Sequence, residues 1–311
     1  MAIYLDFSGS MFAALHVDLK AGEKPDPDYL RYLILNNIRF YNKMFSSEFG
    51  LMHICLDSSS WRDGVFPQYK YERRANRAED NNDWEQIFDH IYTIQSEIKE
   101  HLPFPVIQAD GAEADDIIGV LCSSNTEPSI LVSNDKDFAA LLKHKHVKRY
   151  RPIVKGVEKT PITDPERFEF DLILSGDKSD GIPSVRCHDD FYVEQHRAKL
   201  ANEAIVRAPP VSAKLKNSCY EAFNKSEEEL EIVMGKFLYK NYLRNQLLIS
   251  LDYVPDDVKV AIHKSVRDAS PAKIMKTLNF LMQNRMQRLV AEIKDFTPNQ
   301  TPRKVTSVFD I

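Results

Sequence analysis

Three apolar runs in this 311-residue sequence end in aspartate. The segment IYLDF places Asp6 directly after Ile3–Leu5. LMHICLD places Asp57 after the run 51–56, and SILVSNDKDF places Asp135 and Asp137 just past Ser129–Val132. If these runs are parallel strands, their carboxyl ends share one sheet edge, which is where such folds bind ligands. Four carboxylates far apart in sequence would then converge. DGAEADDIIG adds Glu113, Asp115 and Asp116 at the start of a helix, where negative charge gains from the helix dipole. Glu113 and Asp116 are three apart and share a helical face. Asp115 does not, so an irregular first turn or an edge position is expected for it. SGDKSDGIPSV carries Asp177 and Asp180, again three apart.

Carboxylates this crowded repel one another and need cations. Mg²⁺ is the natural partner, because it takes oxygen ligands, keeps several waters and needs few carboxylates per ion. Two such ions about 4 Å apart serve in-line phosphodiester cleavage, and Mn²⁺ is an expected substitute. Zinc is not indicated: the four cysteines form no CxxC pair, and His16, His53, His144 and His146 match no ligand spacing. Any single aspartate at a strand end also serves as a cap or turn residue. It is the set that points to a metal.

The elements that must position these acids follow from periodicity. Apolar strand candidates are Ile3–Leu5, 51–56, 104–108 and Ser129–Val132. Helical patterns run over 27–45, 82–101, 112–122 and 137–143. Strand–helix alternation predicts an α/β domain with a mostly parallel sheet flanked by helices, over residues 1–160. Beyond it, 164–174, 226–248 and 271–295 read as helices, so 161–297 is expected to be mainly helical, with 298–311 as a tail. Residues 61–83 differ: they are polar, rich in Arg and Tyr, and too long for an ordinary βα connection.

Bulk composition excludes other classes. No run of about 18 apolar residues is present, so no transmembrane helix is expected. The first ten residues lack the charged and cleavage regions of a signal peptide. Unpaired cysteines suggest a reducing interior. The net charge of −5 argues against a nucleic-acid partner only at first sight. Setting aside the nine motif acids leaves the remainder at +4, enough to attract phosphate once metals neutralise the acids.

The stretches YLDFS, ICLD, WRDGVFPQYKYERR, AEADDIIGVL, SNDKDF and LSGDKSDGIPSV resemble, in order, the 5′-nuclease family. That family includes flap endonucleases, phage 5′-exonucleases and the 5′-nuclease domain of bacterial DNA polymerase I. The resemblance is closest to its T-even bacteriophage ribonuclease H branch and covers roughly residues 3 to 190. It implies a PIN-like core with a helical C-terminal region. Asp6, Asp57, Glu113 and Asp115 would hold one Mg²⁺, with help from Asp135. Asp137 and Asp180 would hold a second, with Asp177 close by, and Asp116 would act further out.

The resemblance also makes residues 61–83 a helical arch for a single-stranded 5′ end. Lys70 and Arg73, one helical turn apart, would clamp the scissile phosphate. Tyr69 would stack on a base, and Arg62, Arg74 and Arg77 would add positive potential. Residues 176–185 resemble the start of a helix-hairpin motif that grips duplex backbone and binds K⁺. Gly181 and Pro183 suit its tight turn, and backbone amides there could hold phosphate. The following VRCHDDFYVEQHR departs from the common motif. The implied activity is 5′–3′ exonuclease and flap endonuclease action on RNA–DNA and DNA duplexes, removing RNA primers during lagging-strand replication. The implied setting is a monomer in the cytoplasm of a phage-infected host. A single-strand-binding protein is an implied partner, as is a sliding clamp held by the apolar end of the tail, Val308 and Phe309. Three competitors are weaker. A simple PIN endoribonuclease would lack the arch and LSGDKSDGIP, a phosphatase would want an acid where Ser8 stands, and an inactive DNA-binding protein would have lost acids.

Overall fold

The computed structural model describes residues 1–18, 26–79, 83–157 and 164–297. The chain forms two compact units. One comprises residues 1–59, 82–161 and 256–311, the other 60–81 and 162–255. The units are therefore discontinuous in sequence. Residues 60–81 group with the helical unit, and the chain beyond 255 returns to the sheet.

The first unit is built on a six-stranded sheet of order β3-β2-β1-β4-β5-β6. Its strands are β1 (Ala2–Asp6), β2 (Leu51–Cys55), β3 (Val106–Ile107), β4 (Ser129–Val132), β5 (Val147–Arg151) and β6 (Gly156–Val157). All pairs are parallel except β5 with β6. Every residue of β1 and β4 is buried, as expected of central strands covered on both faces. The chain runs outward from β1 through β2 to β3, then returns to the other side of β1 as β4. This reversal creates the crevice at the strand carboxyl ends where open α/β sheets bind ligands.

Helices of this unit are α1 (Phe7–Asp18) and α2 (Pro27–Phe49). In α2, the side chain of Asp26 accepts from the amides of Asp28 and Tyr29, and Pro27 stands in the first turn. The second unit supplies the short α3 (Arg62–Val65) and α4 (Tyr71–Glu79). Then come α5 (Trp84–His101), whose stripe Ile87, Ile91, Ile94 and Ile98 is buried, and α6 (Ala114–Ser124). The second unit continues with α7 (Pro165–Ser175), α8 (Phe191–Leu200), α9 (Ala213–Phe223) and α10 (Glu227–Ile249). Its core gathers Phe170, Leu174, Leu230 and Tyr242. The returning chain forms α11 (Asp256–Asp268), α12 (Ile274–Gln283) and α13 (Gln287–Ala291) in the first unit. Phe280, Leu281, Leu289 and Phe296 join the core of Ile34, Ile38 and Ile54. Arg39 and Lys43 reach Asp295 at 2.6 and 2.9 Å.

Some elements differ from the sequence expectation. β3 is shorter than 104–108, because Pro103 and Pro105 offer no amide to a ladder. β5 and β6 were not expected, since VKRYR lacks an apolar alternation. Residues 137–143 form a 3₁₀ helix. The pattern over 271–295 breaks into α12, α13 and a 3₁₀ turn, with Arg285 left-handed at the first break (φ 56°). Inside α10, Gly235 interrupts the helical backbone. No described helix is long and apolar enough to cross a membrane. The expected clamp-binding tail lies outside the described residues.

Candidate active site

Asp6 is the last residue of β1, and α1 begins with the next residue. Its carboxylate therefore lies over the first turn of a helix. The Gly9 amide donates to Asp6 Oδ1 at 3.1 Å, and the Ser133 hydroxyl donates to Oδ2 at 2.6 Å. Asp57 follows β2 on the neighbouring strand. Its Oδ1 accepts from the amide of Ala114 at 2.6 Å, and its Oδ2 accepts from the Ser8 hydroxyl. Gln108, at the end of β3, donates through Nε2 to the Asp57 carbonyl at 2.9 Å. The sequence reading missed Gly9, Ser133 and Gln108 and gave Ser8 no role. Position 8 is polar and within two residues of a candidate ligand, but nothing local says which carboxylate it serves.

Glu113, Asp115 and Asp116 each present a carboxylate oxygen, all within 4.8 Å of one another. Among the described residues this is the only such group of three. The start of this helix is irregular, as expected, and that brings Asp115 together with the other two. Glu113 is the N-cap, with extended backbone (φ −84°, ψ 165°), so the spacing rule for a regular helix does not apply to it. Glu113 and Asp116 form a reciprocal capping box. Asp116 is fully buried and accepts from the Glu113 amide at 3.0 Å, which makes it a structural support of the cluster.

Asp135 lies in the loop after β4, and Asp137 begins the 3₁₀ helix that follows it. The Asp135 amide donates to Ser133 Oγ at 3.0 Å, and the Asp137 amide donates to Asp135 Oδ1 at 3.0 Å. Burial raises the Asp6 carboxyl from its ordinary 3.8 to about 6. Ser133 and Gly9 oppose the rise, and the charges of Asp57 and Asp135 add to it. Asp6 thus feels both neighbours, and its anion is disfavoured without a cation. The donors are all oxygens, crowded and partly buried. That set fits a hard divalent ion and not a soft one.

The second unit holds the remaining candidates. Lys70 has a left-handed backbone (φ 53°) and precedes α4, so it does not share a helical turn with Arg73 as expected. Its amide donates to the Asp180 carbonyl at 2.7 Å. Arg73 pairs with Asp180 Oδ1 at 2.8 Å and donates through Nε to the Ser179 carbonyl at 2.8 Å. Tyr69 is buried at 1% exposure, packed with Phe66, Ile182 and Leu248, and its hydroxyl reaches Asp180 at 3.3 Å. The expectation that it stacks on a base is corrected: its ring faces protein. Arg62 is likewise buried at 1% exposure, donating to the Leu248 carbonyl at 2.7 Å, so its guanidinium is engaged within the protein rather than offered to a strand. Arg74 pairs with Asp63 at 3.2 Å on the exposed side. Arg77 lies in the last turn of α4.

Gly181 has φ 71°, and a Cβ there would stand 2.7 Å from the Gln68 carbonyl oxygen. Glycine is needed because the 66–71 backbone passes directly over this loop. The Gly181 amide donates to the Lys178 carbonyl at 3.1 Å. The expected phosphate contact through that amide is therefore corrected. Asp177 accepts from the Ser179 amide and hydroxyl at 2.7 and 2.6 Å and shapes the same loop. Within the expected arch segment 61–83, the described residues 61–79 carry α3 and α4. α4 packs on α8, where Tyr71 meets His196 edge-on and His196 reaches Glu79 at 3.1 Å.

Comparison with known proteins places this geometry in context. The model of the 5′-3′ exonuclease N-terminal resolvase-like domain matches residues 25–171, and that of the T4 RNase H C-terminal domain matches residues 166–296. Ribonuclease H of Enterobacteria phage T4 is 28% identical over 299 residues, 94% of each chain. A 5′-3′ exonuclease of Streptomyces coelicolor is 28% identical over 148 residues, 42% of this chain and 49% of that protein. Two solved structures share the fold. The T5 5′-exonuclease with bound zinc has TM-score 0.56 at 17% identity, over 86% of this chain and 99% of that one. The bacteriophage T5 flap endonuclease with DNA and metal ions has TM-score 0.54 at 18% identity, over 86% and 98%. With a resolvase-like exonuclease domain followed by a T4 RNase H-type C-terminal region, the chain belongs to the 5′-nuclease family of phosphodiester hydrolases.

Proposed function

We propose that this 5′-nuclease is Mg²⁺-dependent and acts on 5′ ends and flaps of RNA–DNA and DNA duplexes, removing RNA primers during lagging-strand synthesis. The observation that carries the reading is the meeting of Asp6, Asp57 and Asp135 at the carboxyl ends of three adjacent strands, with the Glu113–Asp116 cluster following the next. Asp6, Asp57, Glu113, Asp115 and Asp135 would hold metal, and Asp137 would extend the set. A second ion makes the reading a two-metal one. Bound Mg²⁺ would supply an activated water and neutralise charge on the leaving oxygen.

The chain's own residues supply the rest. Gly9 and Ser133 orient Asp6, while Ser8 and the Ala114 amide orient Asp57. Arg73, 45% exposed beside Asp180, is available to phosphate, with Lys70, Arg74 and Arg77 on the same segment. The T5 flap endonuclease was solved with DNA, which supports a nucleic-acid substrate. The partners in this reading are a single-strand-binding protein and a clamp, with the enzyme a monomer.

The test is cleavage of a flap duplex labelled at either end, in Mg²⁺, by the unsubstituted chain, Asp135→Ala and Asp180→Asn. Release of short products from the 5′ side only, abolished by Asp135→Ala, supports the reading. Loss with Asp180→Asn assigns a part in cleavage to that residue and its partner Arg73. Flap binding without cleavage by the unsubstituted chain would overturn the Mg²⁺-dependent cleavage.

A further inference from the structure

Arg149 is a buried cation (2% exposed) on β5, beside Leu131 of β4 in the ladder. Its Nη1 donates to the carbonyls of Asp135 at 2.9 Å and Lys136 at 3.1 Å. A buried guanidinium is costly to desolvate and persists where its hydrogen bonds are satisfied. Here Nη1 makes two such bonds, both to the backbone of the segment that carries Asp135 and leads into Asp137. On the other side of Asp135, its amide donates to Ser133 Oγ at 3.0 Å, and the proton of that hydroxyl is directed to Asp6 Oδ2 at 2.6 Å. Ser133 is itself buried, at 3% exposure. The backbone of Asp135 is therefore held at its N–H by Ser133 and at its C=O by Arg149, and the Ser133 end of the clamp continues to Asp6.

We propose that Arg149 and Ser133 are positioning residues of the metal site. They clamp the Asp135 backbone from both sides and tie its placement to that of Asp6, so that the two carboxylates are set before a metal arrives. This rests on the metal-site reading above. The chemistry explains the residue types. The two protons of Arg149 Nη1 serve two successive carbonyls from a rigid, planar group, whereas a lysine ammonium sits on a flexible stem that does not hold it in that place. Serine has one proton for Asp6 and lone pairs for the Asp135 amide. Neither side chain needs to touch a metal. Supports of ligands are worth about 10- to 100-fold in metal affinity or activity.

The test uses the full chain with Arg149→Lys, Ser133→Ala and Ser133→Thr. Folding is checked by circular dichroism and thermal melting in EDTA. Mn²⁺ binding is measured by calorimetry, and flap cleavage is measured over a range of substrate concentrations. Arg149→Lys and Ser133→Ala should bind Mn²⁺ about 10-fold or more weakly. Their kcat should fall with little change in KM for the flap, and Ser133→Thr should restore both. A folded Arg149→Lys or Ser133→Ala with unchanged Mn²⁺ affinity and kcat overturns the clamp. If Arg149→Lys does not fold, the Ser133 pair decides alone, because the clamp requires both sides. An unsubstituted chain that neither binds Mn²⁺ nor cleaves would overturn the metal-site reading, and this one with it. Normal wild-type behaviour with unaffected variants overturns only the clamp.

Discussion

The amide of Gly9 donates to Asp6 Oδ1, and a Cβ built on Gly9 would stand 2.7 Å from Asp6 Oδ2. The carboxylate thus occupies the space that a side chain at position 9 would need. Gly9→Ala should push Asp6 off its two donors, weaken Mg²⁺ binding and lower kcat by about 10-fold or more. The chain should still fold, because only a methyl is added beside a partly exposed turn. Cleavage by Gly9→Ala at the wild-type rate and Mg²⁺ requirement would show that Asp6 has no fixed role.

Arg73 and Asp180 form a partly exposed pair, with Arg73 45% exposed. Pairs of this kind contribute about 0–1 kcal/mol to stability. Arg73→Ala should leave the melting temperature nearly unchanged and lower kcat on a flap substrate by about 10²-fold, if it contacts developing charge. A stability loss with unaltered cleavage would assign it to the fold instead.

Tyr69 separates packing from chemistry. Tyr69→Phe removes only a hydroxyl 3.3 Å from Asp180 and should cost about 0.5–1.5 kcal/mol, with cleavage retained. Tyr69→Ala empties a buried site and should cost about 3–5 kcal/mol in urea unfolding. A large loss of flap cleavage in a stable Tyr69→Phe would restore a direct role for this residue.

Asp115 and Asp116 differ although adjacent. Asp116→Ala removes half of the capping box and should destabilise by about 0.5–2 kcal/mol in EDTA. Asp115→Asn should leave stability in EDTA unchanged and remove much of the stabilisation that Mg²⁺ confers. Thermal melts with and without Mg²⁺ distinguish the two.

The pH dependence has a definite sign. Asp6 is raised from 3.8 to about 6, chiefly by burial. Between those values the folded chain holds this proton more tightly than the unfolded chain, so its stabilising contribution is present below 3.8 and lost as pH rises through 6. Burial lowers His53 from 6.5 to about 4, so its contribution is lost as pH falls from 6.5 towards 4. The two oppose each other in the metal-free protein. Mg²⁺ competes with the proton on Asp6 and not with that on His53, so the gain in melting temperature on adding Mg²⁺ should be larger at pH 7.5 than at pH 5. An equal gain at both would contradict metal binding by Asp6.

The sequence by itself determined the apolar strands and the acids at their ends. Both are local facts: a run of apolar residues, and an aspartate one to three positions beyond it. Asp6, Asp57 and Asp135 were legible for that reason, as was the α/β class. Partner choice was not local. Ser133 and Asp6 are 127 positions apart, and Ser8 and Asp57 are 49 apart. Their hydrogen bonds follow from strand order and register, which periodicity does not encode. The same holds for Arg62 and Tyr69. They read as surface residues in a polar segment, yet they are buried because 60–81 packs within the helical unit. Arg149 was invisible because VKRYR carries no apolar alternation, and only pairing with β4 makes it a strand. Tertiary structure alone returned residues 256–297 to the sheet, because the apolar faces of Phe280, Leu281 and Phe296 are buried against Ile34 and Ile38 rather than against their neighbours in sequence.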